Sequence, residues 1–416
     1  MMSKFMAARL GWLCAALYLI SLFFLVFQGG KTSLMLFVML NALGLFLFLG
    51  RWSGIGQVQG VRTLAGGSGP AEFLLFQAGT RLKVKLGIQI PGFWPIPYVI
   101  VRERLTRVTG TESQDYELSV VPDYRRRGTI LYETAPLRRG RYRFLRTHCS
   151  TRDIFGLFEH KGSFEQPFEI QVTPRTVALR DWRALRRSKS GVIQQKLATQ
   201  WARETTQIDG VREYIHGDRM SRIHWNATAR TGEWKSKEYE REALPRLVVV
   251  LDRCAASYRT VEGFELAVSA AASLLELADR KQMPAGFASA GAEQGWFGVG
   301  QSGSIRDEVM RHLIDVEADG QGTLGEALAE ASGRFEPGAY MVIVSPLAEE
   351  SIGMALKAME GKRQVALHVL IAERTATEEE EKRYRQWQLM FLSKGWECCR
   401  ISRLEELMDA LEVGSA

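Results

Sequence analysis

The order of apolar and polar positions divides the chain into three kinds of pattern. Two nearly uninterrupted apolar runs lie at residues 10–27 and 34–50. From about residue 57 to residue 175 apolar and polar positions alternate, which is typical of half-buried strands. After residue 244 short continuous apolar runs alternate with amphipathic segments, as in proteins with a buried parallel sheet. The patterns predict a membrane segment, a β-rich module and an α/β domain.

The two apolar runs are close to the minimum of roughly 17 residues that crosses about 30 Å of hydrocarbon as a helix. Only a short loop, QGGKTS, separates them. A second apolar run this close argues against a cleaved signal peptide. Residues 1–52 are therefore predicted to form a transmembrane helical hairpin.

The basic residues around this hairpin predict its orientation. Lys4 and Arg9 precede the first run, Arg51 and Arg62 follow the second, and the loop holds only Lys31. Cytoplasmic segments carry the excess of lysine and arginine. We expect a multi-pass protein of the cell membrane with both termini in the cytoplasm.

Residues 53–180 are predicted to form a β-sandwich-like module. The strand-like runs 81–90, 141–144 and 168–173 are separated by glycine and proline stretches such as IPGFWPIP. Arginine clusters at 125–127 and 138–141 lack an accompanying aromatic stacking platform or recognition helix, so a solvated, membrane-facing surface is favoured over a specific nucleic-acid site.

Residues 244–416 are predicted to form a doubly wound α/β domain, joined to the β-rich module by a connector at 181–243. The run LPRLVVVLD ends at Asp252 and predicts a strand buried on both faces. Further strands are predicted at 338–346, 364–372 and, more weakly, 395–401. Helices are predicted at 323–334, 349–360 and 378–394, and alternating strands and helices imply a mostly parallel sheet.

Net charge, cysteine usage and the lack of common catalytic motifs limit the functions to be expected of this chain. The 416 residues carry a net charge of +7, which suits an anionic neighbour such as a lipid surface or nucleic acid. Five scattered cysteines form no CxxC pair, which disfavours a disulfide framework or zinc ribbon and fits a reducing compartment. No phosphate loop, nucleophile elbow or dinucleotide fingerprint occurs in the sequence. We expect no cofactor and no enzymatic activity.

Ligands of open α/β sheets gather at the carboxyl ends of the strands, so Asp252 is the first candidate position. The strand and helix order is similar to that of von Willebrand factor A domains, whose Asp-x-Ser-x-Ser motif at this place binds magnesium. Here Cys254 and Ala256 replace the two serines. Thr323 matches the second-loop threonine, and Ser345 stands where an acidic residue is expected. Asp252 and Thr323 are thus weak metal candidates, and with Ser345 they are the candidate partner-binding residues.

The connector carries a distinctive motif, REYIHGDRMSRIHWNATAR. It resembles the signature of the bacterial family called domain of unknown function 58, whose pattern is REY-x-x-GD-x-x-x-x-I-x-W-x-x-x-AR. The matching residues are Arg212, Glu213, Tyr214, Gly217, Asp218, Ile223, Trp225, Ala229 and Arg230. The upstream RDIFGLF and the downstream sheet follow the family order, so the resemblance covers nearly the whole chain and includes the degenerate A-like C-terminal domain.

The resemblance implies partners and no assigned reaction. Members of the family look like companions of MoxR-type AAA+ ATPases and of transglutaminase-like membrane proteins, with the A-like domain as the docking module. We therefore expect a membrane-tethered cytoplasmic adaptor or scaffold that binds these proteins and the lipid bilayer. The alternative is a metal-dependent hydrolase or nuclease that uses Asp218 and His224.

Two functions compete for the connector itself. His216, Asp218 and His224 form a tempting metal triad, but no fourth ligand of useful spacing accompanies them. The sequence favours a structural connector, in which the GD pair makes a turn and Ile223 and Trp225 insert into a core.

Overall fold

The structure is a computed structural model that describes residues 2–64, 75–110, 112–153, 156, 158–180, 182, 202–243, 246–300, 302–334, 339–359, 365–372 and 378–412. The chain divides into two compact units, Met1–Thr173 and Pro174–Ala416. The four segments predicted from the sequence are a finer division and stay a prediction.

The first unit begins with two helices, α1 (Met2–Gln28) and α2 (Lys31–Leu49). Gly29 and Gly30 between them have φ values of 59° and 94°. Glycine takes this left-handed conformation without the steric penalty of a Cβ atom, so the chain can reverse sharply here. The two helices contact each other, and the Tyr18 and Phe37 rings lie 5.8 Å apart.

One helix of the described segments, Lys31–Leu49, is long and apolar enough to cross a membrane. The apolar helical part with described side chains before it, Ala15–Gln28, is shorter. The structure therefore supports one candidate span where the sequence predicted two. Apolar side chains of α2 are exposed, with Met35 at 64% and Phe48 at 60%. Such exposure is expected for a helix that is surrounded by lipid.

A β-rich module follows in the first unit. Its strands are β1 (Gln59–Leu64), β2 (Leu75–Gln77), β3 (Lys83–Gln89), β4 (Val99–Arg107), β5 (Ser113–Val120), β6 (Arg127–Glu133), β7 (Gly140–Phe144), β8 (Thr147–Arg152), β9 (Glu159–Phe164) and β10 (Glu169–Thr173). One sheet has the order β1-β3-β6, and the other has the order β2-β10-β7-β4-β8-β9 with β5 paired to β4.

The two sheets pack against each other through their alternating apolar positions. Leu86 and Ile88 of β3 lie in one core cluster with Val99 and Val101 of β4. A second cluster joins Val84 of the first sheet to the second sheet. Period-two alternation places every second side chain on the inner face, so the predicted strands at 81–90 and 168–173 are confirmed in type.

Arg62 has a different role from the one that the topology prediction gave it. Its guanidinium is fully buried in the β-rich module, where it pairs with Glu103 and donates to Thr147 Oγ1 at 3.1 Å. A buried charge needs such partners to offset the loss of hydration. The arginine therefore belongs to the interior of the module, and the basic flank of the apolar helices is left to Lys4, Arg9 and Arg51.

The second unit contains a long hairpin and a six-stranded sheet. The hairpin strands are β11 (Ala202–Glu213) and β12 (Lys235–Ala243), with α3 (Trp225–Thr231) between them. The sheet strands are β13 (Arg246–Asp252), β14 (Ala285–Ala290), β15 (Gly295–Gly300), β16 (Ala339–Ser345), β17 (Val365–Ile371) and β18 (Glu397–Ile401). Their order is β15-β14-β13-β16-β17-β18. Only β15 is antiparallel to its neighbour among these strands.

Helices cover both faces of this sheet. They are α4 (Val261–Arg280), α5 (Ser302–Asp315), α6 (Leu324–Ala331), α7 (Glu350–Met359), α8 (Glu378–Ser393) and α9 (Glu406–Glu412). Successive β13 residues alternate between the faces: Val249 packs with Phe264 of α4, and Val250 packs in the cluster that contains Leu328 of α6 and Phe391 of α8. The continuous apolar run of β13 is thus explained by burial on both sides.

Candidate functional site

Asp252 lies at the carboxyl end of β13, a central strand between β14 and β16. The neighbouring parallel strand β16 ends at Ser345, so the Asp252 and Ser345 side chains meet at the same edge of the sheet. Both side chains are completely buried. Adjacent parallel strands therefore bring together two of the three candidate residues predicted from the sequence.

The protein itself supplies hydrogen bonds to both carboxylate oxygens of Asp252. The Cys254 amide N–H donates to Oδ1 at 2.9 Å, and the Ser345 hydroxyl donates to Oδ2 at 2.8 Å. The Tyr258 hydroxyl donates to the Asp252 carbonyl oxygen at 2.7 Å. Burial raises the pKa of Asp252, and the donated hydrogen bonds offset part of that rise. The carboxylate is therefore held in place by protein donors.

Thr323 is occupied in another way. Its hydroxyl accepts from the Glu326 N–H at 3.3 Å, while the Glu326 carboxylate accepts from the Thr323 N–H at 3.1 Å. This reciprocal pair is a capping box at the start of α6. Thr323 is exposed, and the structure gives it no hydrogen bond to Asp252 among the contacts of the described residues. Thr323 therefore serves as the N-terminal cap of a helix.

Cys254, in the place of a serine hydroxyl, offers a poor ligand. Burial raises the pKa of its thiol to about 12, so the thiolate that binds metals or attacks substrates is scarce near neutral pH. Within the described part of the chain no group of three or more His, Cys, Asp and Glu side chains is arranged to hold a metal ion.

Arg253, next to Asp252, is a residue that the sequence reasoning missed. Its buried guanidinium pairs with both Asp319 carboxylate oxygens at 2.7 Å and donates to the Glu317 carbonyl at 3.0 Å. It also donates to the Ser289 hydroxyl and the Glu293 carbonyl, each at 3.1 Å. One side chain thus fixes the loops that follow β14 and α5 against the end of β13. The only available signal was an arginine directly after a buried strand.

A recess with a volume of about 190 Å³ lies at this edge of the sheet. Arg259, Glu349, Tyr384 and Arg400 line it, together with the loop that follows β16. Arg400 pairs with Glu381 at 2.6 Å and lies over the Tyr384 ring at 5.3 Å. The carboxyl edge therefore offers a recess with both charged and aromatic walls beside the buried Asp252.

The signature motif lies in the hairpin, where Asp218 closes the turn after β11. Its carboxylate accepts from the Arg212 guanidinium at 2.7 Å and from the Ile215 N–H at 3.2 Å. These bonds hold the pKa of Asp218 below its usual range. Tyr214 donates to the Asp218 carbonyl and stacks edge-on against Trp234 at 5.4 Å. Three signature residues thus build one turn.

The two histidines of the motif do not join Asp218 in a ligand cluster. His224 is the N-cap of α3, where its Nδ1 accepts from the Ala227 N–H at 3.1 Å. His216 lies exposed in the turn. A ring nitrogen that caps a helix is already used as an acceptor, so the predicted alternative triad has no common centre in the described residues.

Ile223 is buried, as predicted, and bridges to Ser236 of β12. The prediction that Trp225 also enters a core is wrong, because its side chain is 64% exposed. Ile223 already occupies the inner position, and the chain turns into α3 directly after it. The larger ring is left on the outer side.

Trp225 belongs to a group of exposed apolar side chains, here called the hairpin patch. Its members are Val211, Ile215, Met220, Trp225 and Trp234. The segment 210–237 holds six lysines and arginines against three acidic residues. Arg219 and Arg230 make no ion pair with any described residue. The patch therefore combines large apolar groups with a positive surrounding.

Comparison with known proteins places these features in context. Residues 210–378, which run from the signature hairpin to the start of α8, match the family model described as protein of unknown function DUF58. The uncharacterized protein YeaD of Bacillus subtilis is 25% identical over 335 residues, covering 79% of this chain and 81% of that protein.

Similarities to solved structures are weak. Proximal thread matrix protein 1 of the mussel byssus is 10% identical and has a TM-score of 0.27, over 41% of this chain and 46% of that protein. A CARDB domain from Pyrococcus furiosus, solved with di-metal ions, is 13% identical with a TM-score of 0.18, over 28% of this chain and 86% of that domain. Such scores carry no argument about fold or function. The finding that stands is the match of residues 210–378, with their signature hairpin and buried Asp252, to the DUF58 family model.

Proposed function

We propose that this chain is a membrane-tethered adaptor that works by binding proteins and not by catalysis. The C-terminal α/β domain is taken as a degenerate von Willebrand factor A-like docking module. The observation that carries the proposal is that protein donors already hydrogen-bond both carboxylate oxygens of Asp252, one from Cys254 and one from Ser345. Magnesium requires near-ideal octahedral oxygen coordination, and a buried aspartate that is already bonded provides little of it.

The strand order gives additional support for the A-like assignment. The central β13 is flanked by β14 and β16, and the antiparallel β15 lies at the edge. This is the doubly wound order in which ligands collect at the carboxyl ends of the central strands. The loops around Asp252, Thr323 and Ser345, together with the neighbouring recess, form the proposed partner-binding edge.

The hairpin patch is the second part of the proposed contact surface. Exposed tryptophan, methionine and arginine side chains are enriched where proteins bind each other, and tryptophan dominates binding hot spots. The excess of basic residues favours a partner with an acidic surface. Through the family resemblance the proposed partners are a MoxR-type AAA+ ATPase and a transglutaminase-like membrane protein.

The proposed location is the cell membrane, with a multi-pass hairpin and both termini in the cytoplasm. Support comes from the exposed apolar α2 and from the basic residues on either side of the two apolar runs. The alternative of a metal-dependent hydrolase or nuclease draws less support, because Asp218 closes a turn and His224 caps a helix.

Metal analysis of the purified full-length protein separates the two proposals. The protein would be purified without chelator, incubated with magnesium, zinc or manganese, and passed through a desalting column before elemental analysis. The adaptor proposal expects far less than one metal ion per chain. One ion per chain, lost in an Asp218→Asn variant, would support the hydrolase or nuclease instead.

A further inference from the structure

A cavity of about 150 Å³ lies between the end of α2 and the loops of the β-rich module. Its walls include Phe46 and Gly50 at the end of the helix, Ser53 just beyond it, and Trp94, Arg152 and His160 from the module. This volume is several times the roughly 30 Å³ that one water molecule occupies in the liquid. The cavity is therefore large enough for a polar group of several heavy atoms.

Two buried polar atoms in the wall have no partner. Ser53 is only 3% exposed, and its hydroxyl makes no hydrogen bond within the part of the chain that the structure describes. The same holds for Nε2 of His160, which is also shielded from solvent. Burying a hydrogen-bonding group without a partner destabilises the folded state. Two such atoms in one cavity wall favour a polar occupant that would accept or donate hydrogen bonds there.

The lining is rich in hydrogen-bond donors. Besides Ser53 and His160 it contains the Trp94 indole and the Arg152 guanidinium, which also lies 3.9 Å from the Glu159 carboxylate. A Cβ atom built on Gly50 would lie 3.5 Å from His160 Nε2 and 3.8 Å from Trp94 Nε1, so both nitrogen atoms approach the same point. Asp153, the acidic residue of the lining, accepts from the Phe158 N–H at 3.1 Å. Donors and a positive charge suit an occupant with acceptor oxygens.

The cavity lies at the end of the apolar helix that is proposed to cross the membrane. The Trp94 and Phe46 rings are 5.1 Å apart, and Trp52 contacts Phe48 at 6.1 Å. Trp52, and Phe93 directly before Trp94 in the chain, are exposed at 56% and 79%. Tryptophan collects at the level of the lipid headgroups. If α2 spans the bilayer, the donors of the cavity face the layer of phosphate groups.

We propose that this cavity binds the phosphate-bearing headgroup of an anionic membrane phospholipid. Ser53 and His160 donate hydrogen bonds to phosphate oxygens, Arg152 balances the charge, and Trp94 and Phe46 contact the first carbons of the lipid. The proposal rests on the proposed membrane insertion of α2. It adds a specific lipid site to a chain otherwise proposed to bind proteins.

The test uses full-length protein in detergent and native mass spectrometry with added phosphatidylglycerol, phosphatidylcholine or inorganic phosphate. Wild type should retain one phosphatidylglycerol per chain in preference to phosphatidylcholine. The Ser53→Ala/His160→Ala double variant should lose about tenfold or more in occupancy, because one hydrogen bond to a charged group is worth that much. Ser119→Ala/His148→Ala, which changes the same residue types at exposed positions, is the matched control and should bind as wild type does.

A second variant covers the case in which the double variant folds poorly. Gly50→Leu keeps every donor but fills the space beside His160 and Trp94, and it should lower phosphatidylglycerol occupancy as well. Equal retention by all variants, equal retention of phosphatidylcholine, or displacement of the lipid by millimolar inorganic phosphate would each overturn the proposal. Carbonate washing of membranes separates this result from failure of tethering: a variant that stays in the membrane but loses the lipid isolates the cavity as the cause.

Discussion

At the scale of single residues, the environment decides what a side chain can do. Asp252 stands where open α/β sheets bind their ligands, yet its oxygens accept from Cys254 and Ser345. Thr323 matches a ligand position by sequence and caps a helix instead. Sequence alone identified these residues and their shared edge. It could not identify the bonds, because these depend on the local backbone path and on the side-chain directions at the strand ends, as the Ser345 hydroxyl and the Cys254 N–H show.

The bond from Ser345 to Asp252 leads to a stability prediction. Ser345→Ala removes a donor from a buried carboxylate, so we expect a loss of about 1–3 kcal/mol in the free energy of unfolding. Chemical denaturation of the full-length protein in detergent measures it. Ser304→Ala, at an exposed position of α5, is the control and should change stability by less than about 0.5 kcal/mol. Equal effects of the two substitutions would contradict the role given to Ser345.

Asp252 also predicts a dependence of stability on pH. Burial raises its pKa in the folded state above the ordinary value of 3.8. The folded state therefore binds the proton more tightly than the unfolded state. The resulting stabilisation is fully present below pH 3.8 and is lost as the pH rises through the folded-state pKa.

Asp252→Asn cannot titrate and serves as the reference for this effect. The melting temperature of wild type minus that of Asp252→Asn should fall as the pH increases from 3.8 upwards. A difference that stays constant with pH, or one that grows, would show that the folded state does not raise the pKa of Asp252.

Among the secondary-structure elements, those predicted correctly from the sequence are the ones in which burial spaces the apolar residues at a clear helical or strand period. The predicted helix 378–394 corresponds to α8, and 349–360 corresponds to α7. Strand β14, with the sequence AGFASA, was missed because small residues give no strand pattern even though all six are buried. Helix α5 was also missed, although Ile305, Val309 and Leu313 repeat every four residues. Within the predicted connector, residues 202–243 form a hairpin whose irregular pairing hides its alternation, and most of residues 181–201 lie outside the described part of the chain.

The exposure of Trp225 on α3 changes what its removal should do. A buried tryptophan would cost about 3–5 kcal/mol on truncation to alanine, but an exposed one should cost less than about 0.5 kcal/mol. Trp225→Ala should therefore melt like wild type while it captures less of the proposed ATPase partner. Trp387→Ala removes a buried ring and should lower stability strongly. Strong destabilisation by Trp225→Ala would show that the ring is packed in the folded protein.

At the scale of the whole molecule, hydropathy indicated membrane attachment but not the number of spans. The described structure contains one helix that is long and apolar enough, Lys31–Leu49. The topology prediction included Arg62 among the basic residues that flank the apolar runs. In the structure its charge is paired with Glu103 inside the β-rich module. Side-chain burial of this kind follows from tertiary packing, which a count of basic residues does not include.

Reporter fusions test the proposed orientation. A reporter after Ala416 and one before Met1 should both be active in the cytoplasm, because the basic residues lie on that side of the apolar runs. A reporter inserted in the loop between the runs, beside Lys31, should be active on the opposite side. Activity of the two terminal fusions on opposite sides would indicate a single crossing and would contradict the hairpin.

Capture of a MoxR-type ATPase by tagged full-length protein, with and without a divalent-metal chelator, is the most direct test of metal-independent partner binding. Nucleotide-dependent effects on the ATPase are controlled by using its nucleotide-free form in both arms. Metal-independent docking predicts equal capture in both arms, and weaker capture by Thr323→Trp, which places bulk at an exposed position of the proposed partner-binding edge. Capture that is lost in chelator and restored by magnesium would contradict a metal-independent docking site.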